Sequence, residues 1–390
     1  MHVGIRFVLP VLAFAVVSGC GSIQVNSSQV RSDQGWLTEG ESAQRTNAVH
    51  TRITPPLELK WDLNIGAGFG VISPLIVDEL IFIANRKGEI HAVEFATGRR
   101  MGQSAFGESI EGTPVYENGN LYIPVGWGRS SLIAYDLLGG KTRWKVKGAP
   151  ISSGLLTYAD VVIAADDNGV VRAHRKTDGE IDWMVSLDEG VGVKASPILA
   201  AGHVIVIDDR GRVSALNAAN GSSEWSVDLG APVLSTPTAD EEAIYVATSR
   251  GRFVKISADD GSEEWSYNTT DSDVYFASPA LEGDQVVFGA SDGVVRAIEK
   301  SSGQELWSHV VDAAVTVPPL LTEEFAYIGT MNSKLLAIDR RTGLRAWTYE
   351  VDGRIKSAFA SKGNAIVVLS EPRTVYLFEP SADNYARSND

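Results

Sequence analysis

A handful of residue groupings in this chain have spacings that chemistry could use. Gly289-Ala-Ser-Asp-Gly293 matches G-x-S-x-G, which exposes a nucleophilic serine when it sits at a strand-to-helix turn. Here Val294 to Ile298 follow with the character of a strand, and the same slot elsewhere holds Arg86-Lys-Gly88, Asp167-Asn-Gly169 and Ser249-Arg-Gly251. The slot therefore reads as a hairpin turn that recurs along the chain. Gly66-Ala-Gly-Phe-Gly70 has the glycines of a phosphate loop but joins two strand-like runs instead of opening a helix. Asp166-Asp-Asn-Gly169 and Asp208-Asp-Arg-Gly211 offer carboxylates to a Ca²⁺, although turn formation explains the same residues. The histidines at 2, 50, 91, 174, 203 and 309 lack ligand spacing, and His91 and His174 fall inside strand-like runs. The expectation is no catalytic residue, no metal and no cofactor.

What would position these turns is a repeat. A turn glycine is followed four residues later by tryptophan at Gly140/Trp144, Gly179/Trp183, Gly221/Trp225, Gly261/Trp265, Gly303/Trp307 and Gly343/Trp347. Trp61 precedes the series, and after Gly98 it is Gly102 that stands where the tryptophan belongs. Counting position 102, the steps from 61 to 347 are 41, 42, 39, 42, 40, 42 and 40 residues. A period of this size signals a propeller or another repeat array. Each unit reads as four short strands cut by Gly, Asn or Asp, as in Ser73 to Phe106. The first strand opens on a small residue and proline, as at Ser73-Pro74, Thr113-Pro114, Ser196-Pro197, Thr236-Pro237 and Ser278-Pro279, where the missing N–H is tolerated. Units start near 73, 113, 152, 196, 236, 278, 317 and 358. The last has three strands, and Leu57 to Ile65 supplies a lone fourth. The expected fold is thus all-β: an eight-bladed β-propeller over 57–380, its ring closed by the N-terminal strand, which removes open edges.

Outside the ring, a basic start, an apolar run from Phe7 to Val17 and Val17-Ser18-Gly19 predict a signal peptide over 1–19. The run is too short to span a bilayer, which takes about 20 residues. The single cysteine follows at once, and Val-Ser-Gly-Cys20 resembles the lipobox of bacterial lipoproteins, which implies lipid attachment at Cys20. One cysteine permits no internal disulfide. Residues 20–56 read as a polar tether and 381–390 as a polar tail. Net charge is −15, or −16 once Arg6 leaves with the signal, and this excludes a basic nucleic-acid surface.

The two ends of the ring are charged differently. Loops between first and second strands are acidic, as at Asp78, Glu79, Glu117, Asp240 to Glu242, Glu323 and Glu324, and read as a solvated surface. Loops between second and third strands mix Asp with Arg210, Arg212, Arg250 and Arg252, and carry Trp127. Arginine near an exposed tryptophan is the composition of a protein contact, so this mixed face is the candidate for partner binding.

The units Val213 to Trp225 and Leu335 to Trp347 have no Gly-His opener and no Trp-Asp ending. They resemble the PQQ-like repeat, over 57–380. A lipoprotein built wholly of eight such repeats resembles the outer-membrane assembly factor BamB family. That resemblance implies a non-enzymatic, lipid-anchored scaffold facing the periplasm, docked on a barrel-assembly protein of the BamA type through consecutive inter-blade loops. Here those loops are Asp188 to Lys194, offering Val191, Val193 and Lys194, and Gly230 to Leu234, offering Pro232 and Val233. The second lacks the acidic pair of the family's loop. The alternative is a PQQ-like propeller lipoprotein that binds another envelope protein or a small ligand. Trp36 and Arg45-Thr-Asn47 form a W…G…R-T-N opener common to many such repeat proteins outside the assembly machinery, which speaks for this alternative. A third reading, a quinone enzyme, has little support in a chain whose only cysteine is Cys20.

Overall fold

Alternation of branched or aromatic residues with polar ones folds each repeat into an antiparallel four-stranded sheet. The computed structural model describes residues 23, 25, 29–30, 34–188, 190–269 and 274–382. The predicted signal peptide, Cys20 and the tail from 383 lie outside the described residues. In the first blade the strands are Leu75–Val77, Leu80–Ala84, Glu89–Glu94 and Arg100–Ala105, paired in sequence order. Their second and third strands are almost wholly buried, as in Leu80–Ala84, because both faces of a blade are covered by neighbouring blades. Among the described residues there are eight such sheets. The eighth consists of Ala360–Lys362, Ala365–Ser370 and Thr374–Pro380, completed by Leu57–Asn64, which runs antiparallel to Thr374–Pro380 from Leu57↔Pro380 to Asn64↔Thr374.

The tryptophan repeat is the mortar between blades. Six of its indole N–H groups donate to a carbonyl of the next blade: Trp61 to Phe95, Trp144 to Lys176, Trp183 to Ala218, Trp225 to Ala258, Trp265 to Lys300 and Trp307 to Arg340, at 2.6–3.2 Å. The ring of each of these six lies on the turn glycine of that next blade, where a side chain would not fit. The exception explains itself. Gly102 replaces the tryptophan between blades 1 and 2, and there the buried Ile23 fills the space, its carbonyl near Gly140 and its N–H on Ser104 Oγ at 3.4 Å.

A second ring explains the small residue before the proline. The N–H of Ser73 donates to Thr113 Oγ1, that of Ser196 to Thr236 Oγ1, and that of Thr236 to Ser278 Oγ, each at 2.9–3.1 Å. These hydroxyls stitch the inner ends of neighbouring blades together, a role that the proline pattern did not reveal.

The expected tether is the main correction. Gly35–Trp36 adds a strand to the inner edge of blade 1, pairing with Val77 and Ile76. The chain then circles the channel, and its carbonyls accept the free edge N–H groups of successive innermost strands. Leu37 takes Tyr116, Ala43 takes Leu199, Gln44 takes Ala239, Thr46 takes Leu281 and Asn47 takes Leu321, at 2.8–3.0 Å. Trp36, Arg45, Asn47 and Ile53 are buried. The W…G…R-T-N opener thus gains a physical reason. Trp36 Nε1 donates to Ser73 Oγ at 3.1 Å, Gly40 leaves room for Arg45, Arg45 donates to the carbonyls of Glu39 and Leu155, and Asn47 Nδ2 donates to those of Arg45 and Pro279. Residues 34–54 are a strap across the channel. Polarity misled because the strap's polar groups are spent on a sheet edge instead of on water.

Candidate partner-binding face

The face built from second-to-third turns and inter-blade loops is held rigid by one recurring hydrogen bond. The second residue of each turn donates its N–H to the loop that enters the same blade: Arg86 to Gly68, Asp167 to Pro150, Asp209 to Gly192, Ser249 to Pro232, Ser291 to Tyr275, Met331 to Ala314 and Glu371 to Arg354. Blade 2 uses a two-residue clip, Ser109 N–H to the Trp127 carbonyl and Gly126 N–H to that of Ser109. Ser130 N–H adds a bond to Glu108 Oε2 at 2.7 Å. This clip holds Trp127 outward, 78% exposed, beside a hollow lined by Arg86, Lys87, Glu108 and Arg129. Val71, Leu234 and Tyr275 are further large apolar side chains exposed on this face, and they rim the mouth of the central channel.

The sequence-predicted site residues divide into two groups. Trp127, Arg210, Arg212 and Arg250 are exposed as expected, and Lys194 is half exposed with an ion pair to Asp167 at 3.0 Å. Arg212 pairs with Asp188 at 3.3 Å, while Arg252 is tied to Glu263 and to the Leu229 carbonyl. Val191, Val193 and Val233 are corrections. All three are buried, and Val193 and Val233 sit in core clusters, so they position their loops and offer no contact surface. Pro232 is part-buried, with its carbonyl taken by Ser249. The side chain that its loop presents is Leu234, next to the buried Val233, because adjacent residues of an extended loop point to opposite sides. Sequence could have found it by applying that alternation to the loop.

The opposite face also differs from its reading as a merely solvated surface. Lys176 pairs with Glu117, Lys300 with Asp240 at 2.9 Å and Lys362 with Glu79 at 2.9 Å, each bridging adjacent blades, while Arg52 of the strap reaches Glu324 at 3.0 Å. The cations come mainly from third-to-fourth turns, which share this face.

The groupings singled out for chemistry resolve as turns. Ser291 lies in a hairpin before the strand Val294–Glu299, its Oγ accepting the Tyr275 N–H. Asp166 Oδ1 accepts the N–H groups of Asn168 and Val170, and Asp208 Oδ1 those of Arg210 and Arg212. Among the described residues no three His, Cys, Asp or Glu cluster as metal ligands. His91 and His174 are buried in strands, and burial pushes both imidazoles below their usual pKa.

Comparison with known proteins follows the repeat. A family profile described as outer membrane protein assembly factor BamB matches residues 58–189 and 167–388. The chain belongs to that family. A BamB of Yersinia pestis is 26% identical over 185 residues, covering 42% of this chain and 46% of the relative, so the match spans about half of that relative's length. The crystal structure of BamB from Moraxella catarrhalis superposes with a TM-score of 0.70 at 18% identity, covering 83% of this chain and 99% of that one. A quinohemoprotein alcohol dehydrogenase from Comamonas testosteroni superposes with a TM-score of 0.76 at 15% identity, covering 93% of this chain and 84% of that one. At such identities both show the fold alone.

The dehydrogenase likeness raises the question of a quinone. PQQ is a multiply carboxylated ring and needs cations in the channel. Here the channel floor presents the carboxylate of Glu39, and the lining cations Arg86 and Lys194 are already paired with Glu111 and Asp167. The residues present do not fit that cofactor.

Proposed function

We propose that this chain is a non-enzymatic scaffold of outer-membrane β-barrel assembly, anchored through lipid at Cys20 and facing the periplasm. Its partner is a barrel-assembly protein of the BamA type. Membership of the BamB family supports the reading, and one structural observation carries it: Trp127 stands exposed on a loop clipped rigid by Ser109, with Leu234, Tyr275 and Val71 exposed on the same face. Large apolar side chains held in place without covering are the anchors of a protein contact. Arg210 and Arg250 supply the charged surroundings. In this reading residues 1–19 are a removed signal and 57–380 the propeller. The segment after Cys20 is short, because Ile23 is already seated between blades 1 and 2.

Membrane pull-down of the tagged lipoprotein, with mass spectrometry of what remains bound, tests this. Recovery of a barrel-assembly protein, lost on Trp127→Ala, is the expected result. Recovery of only other envelope proteins would move the assignment to a different scaffold role.

A further inference from the structure

The channel is blind. The strap separates a funnel opening on the partner-binding face from a groove on the acidic face lined by Glu41, Gln44 and His50. The funnel holds about 480 Å³. At its floor stands Glu39, whose Oε2 accepts from Ser196 Oγ at 2.6 Å and Oε1 from Thr236 Oγ1 at 3.3 Å. A carboxylate has about four lone-pair sites, and these two donors are neutral. Gly154 makes the space: a Cβ there would stand 2.5 Å from Glu39 Oε2 and 2.9 Å from Ser196 Oγ. Arg45, beneath the floor, directs its N–H groups to Thr38 Oγ1 and to the carbonyls of Glu39 and Leu155. The carboxylate therefore keeps acceptor capacity, with the buried Arg45 charge close enough to act on it, at the foot of a funnel that mixes hydroxyls with apolar groups and whose other charges are paired.

We propose that the funnel receives one basic side chain, arginine or lysine, projecting from a polypeptide partner, with its cation on Glu39 and its neighbours on the rim of Val71, Leu234 and Tyr275. A charged donor makes the stronger hydrogen bond to a carboxylate, and its aliphatic stem can pass the Tyr275 ring. A free small amine would leave the apolar rim uncovered, whereas residues flanking a basic side chain cover it. The inference rests on the scaffold reading in taking the ligand to be part of a protein.

The test is titration of the blocked peptide acetyl-Leu-Arg-Leu-amide into the whole chain, read from the methyl NMR shifts of Val71, Leu234 and Thr236. Saturable shifts at these three are expected, weakened at least tenfold when citrulline replaces arginine, and likewise by Glu39→Gln. Leu234→Ser, an exposed change on the rim, must also weaken binding, and it guards against a Glu39 variant that merely loosens the strap. Absence of saturable shifts in the parent chain, or equal affinity for the citrulline peptide, overturns the proposal. A parent chain that recovers its barrel-assembly partner but ignores the peptide sinks the funnel proposal alone. One that binds the peptide but recovers no such partner sinks the scaffold reading alone.

Discussion

Gly221 lies against the indole of Trp183, where a methyl group on its Cα would stand 2.5 Å from Trp183 Cε3. Its φ is +75°, a conformation that costs other residues roughly 1–2 kcal/mol. Gly140 has the same role in blade 2, at φ +61°, yet meets no indole, and the nearest atom to such a methyl is the Ile23 carbonyl oxygen at 3.9 Å. Gly221→Ala is expected to cost the backbone strain plus about 1–3 kcal/mol of overpacking, and Gly140→Ala the strain alone. Denaturant unfolding of both variants checks this. Equal losses would show that the blade interface yields to the extra methyl.

The strap makes its own prediction. Arg45 is buried, and its guanidinium joins the strap to the Leu155 carbonyl of blade 3. Removing the arginine leaves the buried Leu155 and Glu39 carbonyls without a donor, at a cost of about 1–3 kcal/mol for each group left unsatisfied. Arg45→Ala is expected to free the strap locally, so that the N–H groups of Leu199, Ala239, Leu281 and Leu321 exchange with solvent faster while central strands such as Val161–Ala165 stay protected. Unchanged exchange at those four amides would mean that the carbonyl contacts hold without the arginine.

On the partner-binding face, exposure and burial predict opposite outcomes for neighbouring substitutions. Trp127→Ala should leave stability within about 0.5 kcal/mol and weaken partner capture by about 2 kcal/mol or more. Val193→Asp places a charge in the core and should unfold the chain before any binding can be read. Charge reversal at Arg210, Arg212, Arg250 and Arg252 should reduce capture. A quadruple variant that holds every partner would remove these arginines from the interface.

Burial depresses the pKa of His91 and His174, with Glu89 and the Gly179 carbonyl opposing it. The folded chain therefore takes up protons at these two sites at lower pH than the unfolded chain, which does so near pH 6.5. Because the unfolded state binds more protons there, stability is full above that pH and falls as pH drops through it toward the folded values. A thermal melt series from pH 7.5 to 5 should show the decline, and His174→Gln should flatten part of it. An unchanged slope in that variant would place the acid sensitivity in other groups.

Several features were legible from residue order, because they rest on short-range rules. Strand alternation, turn glycines and the tryptophan period fix eight blades, and the three-stranded last unit with a lone strand at Leu57 can close only on itself. The exposure of Trp127 and of the arginines near Arg210 followed from their place in turns. Tertiary structure decided the rest. Polar residues 34–54 were indistinguishable from a solvated linker, since nothing local says that their carbonyls meet the unpaired inner edges of blades far along the chain. The inward turn of Val191, Val193 and Val233, and the placing of Glu39 between Ser196 and Thr236, likewise depend on contacts between distant segments. A repeat is written in its own forty or so residues, but what fills the centre of the ring is set by all the blades at once.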